Sequence, residues 1–218
     1  MTLKIYGVLR SRATRPIWMA RELDIPFEHV PVIQYYRLPN PEAHDAPLNT
    51  ISPPFLAVNP NGLVPSIDDD GFILNESLAI TLYLARKHGG PLAPRDLHED
   101  GLMTMWTLWA ATECEGHALR TMQNGSVVKT RDTTVYEAGV AALKPKFAVL
   151  EKALREGDGF LVGRRFTVAD LNVAEIMRYA QAALELFAEH PHVQSWITAC
   201  QSRPAFVGMM SERSAEPI

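Results

Sequence analysis

Residues 3–9 (Leu-Lys-Ile-Tyr-Gly-Val-Leu) form an apolar run short enough for a buried strand. Ile17, Met19–Ala20 and Leu23 then recur at helical spacing, and Pro26 stops that pattern before a second strand-like stretch, "DIPFEHVPV". The unit reads β-α-β. Proline is tolerated in a helix only in its first turn, so Pro16 marks the helix start. Thr14 then serves as N-cap, with Ser11 in the loop three residues earlier, beside the positive end of the helix.

Eight of the sixteen prolines fall in residues 31–65, which predicts an irregular connection with one short helix. "PSIDDDGFIL" follows as strand, Asp-Gly turn and strand, a hairpin signal. In "NESLAITLYLARKHG", Leu78, Leu82 and Ala85 share a helix face and Gly89 ends it. The order β-α-β-β-β-α predicts a small α/β domain over residues 1–87. A linker, 88–97, is rich in proline, glycine and charge. Residues 98–218 are helical in pattern almost throughout. Met103, Met105, Trp106 and Trp109 mark one helix, and a core stripe or a ligand pocket both suit that Met and Trp pattern. Leu143, Phe147, Leu150 and Leu154 mark a second, with a kink or late start at Pro145. "TVADLNVAEIMRYAQAAL" opens on Thr167 with Asp170 three residues on, a capping box in which Asp replaces the usual Glu. The last helix, "HVQSWITACQSRP", stops before Pro204.

Composition narrows the function. The formal net charge is −4, with 47% hydrophobic and 21% charged residues, so nothing electrostatic points to nucleic acid or an anionic membrane. No apolar stretch approaches the roughly 20 residues that span a bilayer, and the start "MTLKIYGVLRSR" has no secretory pattern. We expect a cytoplasmic protein. Cys114 and Cys200 form no C-x-x-C pair and read as reduced, buried thiols. The seven histidines show no metal-ligand spacing, His190 and His192 merely flanking a proline, so no metal is expected.

Several motifs then converge. "NPNGLVP", the Glu76–Ser77 pair opening a helix, and an all-helical second half together resemble the glutathione S-transferase family. "LYLARKHG", "FLVGRRFTVADLNVAE" and "RPAF" resemble further family signatures. The start "IYGVLRSRATRPIWMARELDIPFE" is similar to the serine-type, theta-like branch, whose S-x-x-[ST]-R pattern falls on Ser11, Thr14 and Arg15. The resemblance covers nearly the whole chain. It implies a thioredoxin-like N-terminal domain that binds glutathione, an all-α C-terminal domain contributing the electrophile pocket, and a homodimer. It also implies a cis bond before Pro65, so that the Val64 backbone pairs with the cysteinyl backbone of glutathione by β-augmentation.

The chemistry that family performs needs a thiolate. An ordinary thiol has a pKa of about 8.5, and lowering it by about two units stabilises the anion by roughly 2.7 kcal/mol. A hydroxyl donor and a helix N-terminus are two means of doing so. Ser11 is therefore the expected thiolate donor, with Tyr6, at the end of the first strand, as its rival. Arg12 and Arg15 are candidates for added positive potential. The resemblance places the γ-glutamyl group at Glu76 and Ser77, by ion pairing and by a helix N-terminus. Where many relatives carry Lys or Gln before "V-P", this chain has Leu63. The holder of the glycyl carboxylate is therefore open among Tyr35, Tyr36, Arg37 and His44. The expected reaction is conjugation of glutathione to small apolar electrophiles. A glutathione-dependent peroxidase or disulfide reductase and a non-catalytic binding module remain as alternatives.

Overall fold

The computed structural model describes residues 2–217. The chain divides into two compact units, one running to His88 and taking back the segment from Pro204 onward, the other being Gly89–Arg203.

In the first unit β1 (Leu3–Tyr6), α1 (Thr14–Glu22) and β2 (Phe27–Val30) form the expected β-α-β. The connection that follows holds a 3-10 turn (Tyr35–Arg37) and the short α2 (Pro53–Leu56), and then come β3 (Ser66–Asp69), β4 (Phe72–Asn75) and α3 (Ser77–His88). The sheet order is β2-β1-β3-β4, with β1 parallel to β2 and the other pairs antiparallel. This is the mixed sheet of a thioredoxin-like domain. Strand side chains alternate between faces. Leu3, Ile5 and Ile67 are buried, as are Ile17, Met19, Ile80 and Leu84 of the two helices, α1 and α3, which pack on each other. Each such aliphatic side chain contributes about 1.5–3 kcal/mol on leaving water. Lys4 and Tyr6 lie on the opposite face of β1, where Lys4 approaches Glu28 at 3.9 Å. Asp70 and Gly71, both at positive φ, make the hairpin turn between β3 and β4.

Three local expectations are corrected. The first strand ends at Tyr6 rather than residue 9, because Gly7, at φ +130°, turns the chain out of the sheet. Thr14 is the first helical residue rather than the cap, and its hydroxyl donates to the Ser11 carbonyl at 3.3 Å. Helix α6 (Thr133–Glu156) begins well before Pro145 and runs on through it, so the late start is overturned. Proline removes the bond to the carbonyl four residues back, and here that residue, Ala141, is exposed to water, as is Pro145 itself.

The second unit holds α4 (Leu97–Trp109), continued by a π-helical turn (Ala110–Cys114), then α5 (Glu115–Gln123), α6, α7 (Val168–Met177), α8 (Leu184–Ala188) and α9 (Pro191–Gln201). Every residue of α7 is buried. The capping box is formed as expected: Asp170 accepts from the Thr167 N–H at 2.9 Å and hydroxyl at 3.0 Å. It also accepts from the Leu161 N–H and the Trp196 indole N–H, each at 3.0 Å. Cys114 and Cys200 are buried and form no disulfide, and burial pushes the Cys114 thiol up to about 12. No helix among the described residues is long and apolar enough to cross a membrane.

The last helix, α10 (Pro204–Ala215), belongs to the first unit. Its Phe206 meets Trp18 of α1 edge-on at 4.8 Å between ring centroids, and Glu212 pairs with Arg21 at 2.6 Å.

Candidate active site

The end of β1 gathers the site. A Cβ built on Gly7 would lie 3.1 Å from the Val64 Cβ, 3.0 Å from the Ala13 Cβ and 3.5 Å from the Ser11 Oγ. Only glycine permits this approach, so one residue brings the Ser11 hydroxyl and the Val64 turn together. Gly7 is fixed by its N–H, which donates to the Val30 carbonyl at 3.0 Å, and by a 2.6 Å contact of its carbonyl with His29 Nε2.

The Ser11 hydroxyl donates to the Val8 carbonyl at 2.6 Å and accepts from the Ala13 N–H at 3.1 Å. The serine therefore sits over the first turn of α1, where backbone N–H groups carry partial positive charge. A donor on its oxygen polarises the O–H and makes it a better donor in turn.

The Val64–Pro65 peptide is cis, as the motif implied. Ser66 is the first residue paired in β3, and the Val64 main chain has no hydrogen-bond partner among the described residues. That leaves one N–H and one C=O for an extended ligand backbone. The turn is braced from behind. Buried Asn59 donates to the Leu63 carbonyl at 2.7 Å and the Ser66 hydroxyl at 3.2 Å. Gly62, at φ +61°, has the Thr50 carbonyl oxygen only 2.8 Å from where a Cβ would sit.

At the far end of the hairpin, Glu76 holds a left-handed backbone (φ 69°), and its carbonyl accepts the first bond of α3 from Ile80. A non-glycine residue there costs about 1–3 kcal/mol and is commonest at ligand sites. Its side chain faces solvent, while Ser77 is buried and its hydroxyl accepts from Arg15 Nη1 at 3.0 Å. A helix N-terminus, a serine and a buried guanidinium thus stand together, which suits a carboxylate.

Models of the glutathione S-transferase N-terminal and C-terminal domains match residues 5–92 and 105–204. The chain belongs to the glutathione S-transferase family. It is 30% identical to a glutathione S-transferase of Silene vulgaris, over 94% of this chain and 95% of that protein. It is 29% identical to mouse (Mus musculus) glutathione S-transferase theta-1, over 90% and 81%. The crystal structure of glutathione transferase F7 from Populus trichocarpa superposes with a TM-score of 0.79 at 28% identity, covering 96% of this chain and 98% of that one. Members of the family use glutathione as substrate, and this chain is a glutathione transferase.

Against that family pattern, the other candidates separate. Arg15 lies behind Ser77, 1% exposed. Tyr6 lies on the Lys4 face of β1, its ring 6.3 Å from Phe55, and its hydroxyl pKa is raised, chiefly by burial. Arg37 donates to the Arg10 carbonyl at 2.9 Å. Tyr35 and Tyr36 are exposed and stacked edge-on at 5.8 Å, and exposed His44 lines a cavity within the proline-rich connection. Leu63 is exposed. In the second unit Met103 is fully buried, Met105 is exposed, and Trp106 and Trp109 meet edge-on at 5.2 Å, both partly exposed. Sequence reasoning missed Gly7 and Asn59. The signal for Asn59 was its place at the head of "NPNGLVP", three residues before a glycine.

Proposed function

We propose that this glutathione transferase conjugates the glutathione thiolate to small apolar electrophiles, with the Ser11 hydroxyl donating to the sulfur. One observation carries the reading: Ser11 and the unpaired Val64 main chain meet across Gly7, and the proposal seats there the central residue of a tripeptide paired with Val64. The γ-glutamyl carboxylate goes to Ser77 and the N-terminus of α3, its ammonium to Glu76. The Ser11 hydroxyl donates to the Val8 carbonyl. Donation to sulfur means exchanging that bond, at a net cost of about 1 kcal/mol, for a charge-assisted one worth about twice as much. Ser11 acts as a donor and not as a nucleophile, so no relay of histidine and carboxylate is required. The position of Tyr6 on the Lys4 face, with its raised pKa, supports Ser11 over Tyr6. We further propose a cytoplasmic homodimer that works without a metal ion.

Retention on immobilised glutathione, followed by assays of chloronitroaromatic conjugation and of peroxide reduction, tests this. Wild type should be retained and should conjugate, and Ser11→Ala should lose at least about tenfold in rate with binding less affected. Flow-through of the wild type supports a binding module that has lost this ligand. Peroxide turnover exceeding conjugation supports a reductase. Loss in Tyr6→Phe but not in Ser11→Ala reassigns the donor.

A further inference from the structure

The loop that carries Ser11 is held from outside by the end of the chain. The Glu216 carboxylate accepts from two successive amides, Leu9 N–H at 2.8 Å on Oε1 and Arg10 N–H at 2.9 Å on Oε2. Successive amides that converge on one anion form a strong, directional grip. The grip is returned, since Arg10 Nε donates to the Glu216 carbonyl at 3.3 Å. The other side of the loop is held by Arg37, which takes the Arg10 carbonyl. The tail itself is well anchored, because α10 is fixed on α1 by the Trp18–Phe206 and Arg21–Glu212 contacts. Ser11 is the residue after Arg10. Its neighbours Val8 and Leu9 are buried, and the Val8 carbonyl is the present acceptor of its proton.

We propose that Glu216 is a positioning residue for this reaction: its carboxylate fixes the backbone of residues 9–10, and thereby the place of the Ser11 hydroxyl. A hydroxyl aimed at a thiolate is worth its full effect only when held to within a fraction of an ångström. Without the carboxylate the two amides lose their partner, and a cavity of about 120 Å³ between Val8, Ile33, Leu38 and Pro217 gives the loop room to shift. The inference rests on Ser11 being the thiolate donor.

The sign of the effect separates positioning from simple charge. Removing a negative charge near a thiolate would by itself lower the thiol's pKa. Losing the aim of the hydroxyl raises it. The test titrates the ultraviolet absorbance of the thiolate of bound glutathione and measures conjugation of a chloronitroaromatic by the wild type, Glu216→Ala, Glu216→Gln and Ser11→Ala. Glu216→Ala should raise the thiol's pKa by about one unit and lower kcat at about pH 7 about threefold, as the thiolate fraction falls, with KM for glutathione within about twofold. Glu216→Gln, which keeps one acceptor oxygen, should fall between, and it carries the test if the alanine variant does not fold. An unchanged or lowered thiol pKa in both Glu216 variants, with or without a drop in melting temperature, overturns the inference. If Ser11→Ala raises the pKa and the Glu216 variants do not, the clamp alone is wrong. If Glu216→Ala raises it and Ser11→Ala does not, the fault lies in the choice of serine as donor.

Discussion

Replacing Asp170 by alanine should destabilise the helical unit by about 3 kcal/mol. The carboxylate is fully buried and accepts four hydrogen bonds, from the Thr167 N–H and hydroxyl, the Leu161 N–H and the Trp196 indole. The Thr167 hydroxyl can rotate to another acceptor, but the other three donors are fixed. Each fixed donor left unpaired in the interior costs about 1–3 kcal/mol. One contribution opposes these. Burial raises the Asp170 carboxyl to about 6 against its ordinary acidity, so holding the anion near neutral pH costs about 3 kcal/mol that alanine does not incur. Three donors at the middle of their range less that relief leave about 3 kcal/mol. Asp170→Asn keeps one acceptor oxygen and loses the charge, but turns an NH2 towards N–H donors, so it should lie between wild type and alanine. Urea unfolding followed by tryptophan fluorescence measures both, and Trp196 reports on the site itself. The raised acidity constant adds a sign. Carboxyl protonation is favoured by folding, so this group's contribution is fully present below the unfolded-state pKa of about 3.9 and is lost as pH rises through about 6. The margin of wild type over Asp170→Asn should shrink over that interval. An alanine variant within about 0.5 kcal/mol of wild type, or a margin that grows with pH, would refute the reasoning.

Two further outcomes follow from the same kind of accounting. The Arg165 guanidinium, bonded to both Glu99 oxygens at 2.8 and 2.6 Å, holds the Glu99 carboxyl down to about 2, with the Arg95 N–H assisting. Its stabilisation is present above the ordinary carboxyl pKa and is lost as pH falls through about 2, so Glu99→Gln should flatten the acid limb of the stability profile, by about 1 kcal/mol after solvent screening. A profile identical to wild type would count against the pairing. Gly7→Ala should cost about 2 kcal/mol in stability and weaken glutathione binding measured by calorimetry, because its Cβ meets Ala13 and Val64 at 3.0 and 3.1 Å with the backbone at φ +130°. Wild-type binding by that variant would mean that Ser11 and Val64 need not meet there.

Elements with strong period or punctuation were legible in the sequence. The Asp-Gly hairpin, the buried stripe of α6 and the Thr167–Asp170 box stand where the pattern put them, because each rests on bonds within a few residues. The helix start at Thr14 was misread because threonine is a good cap in isolation, whereas here Ser11 already serves the Ala13 N–H. Arg15 was read as a source of positive potential near the sulfur, and its burial against Ser77 depends on α1 and α3 packing together across 62 residues of chain. The return of α10 to the first unit, and with it the Glu216 contact with residues 9–10, spans over 200 residues and leaves no periodic trace. At the candidate site the place of Gly7 between Ser11 and Val64 was not readable, since its role is a distance rather than a side chain.

The role proposed for Ser11 is to keep the glutathione sulfur anionic. The acidity of the thiol in the bound tripeptide, compared between wild type and Ser11→Ala, tests it most directly. Wild type should titrate about two units below the free thiol's value of about 8.5, and Ser11→Ala should recover most of that difference. A wild-type thiol that ionises as it does in water, or a Ser11→Ala protein that titrates with the wild type, would contradict it.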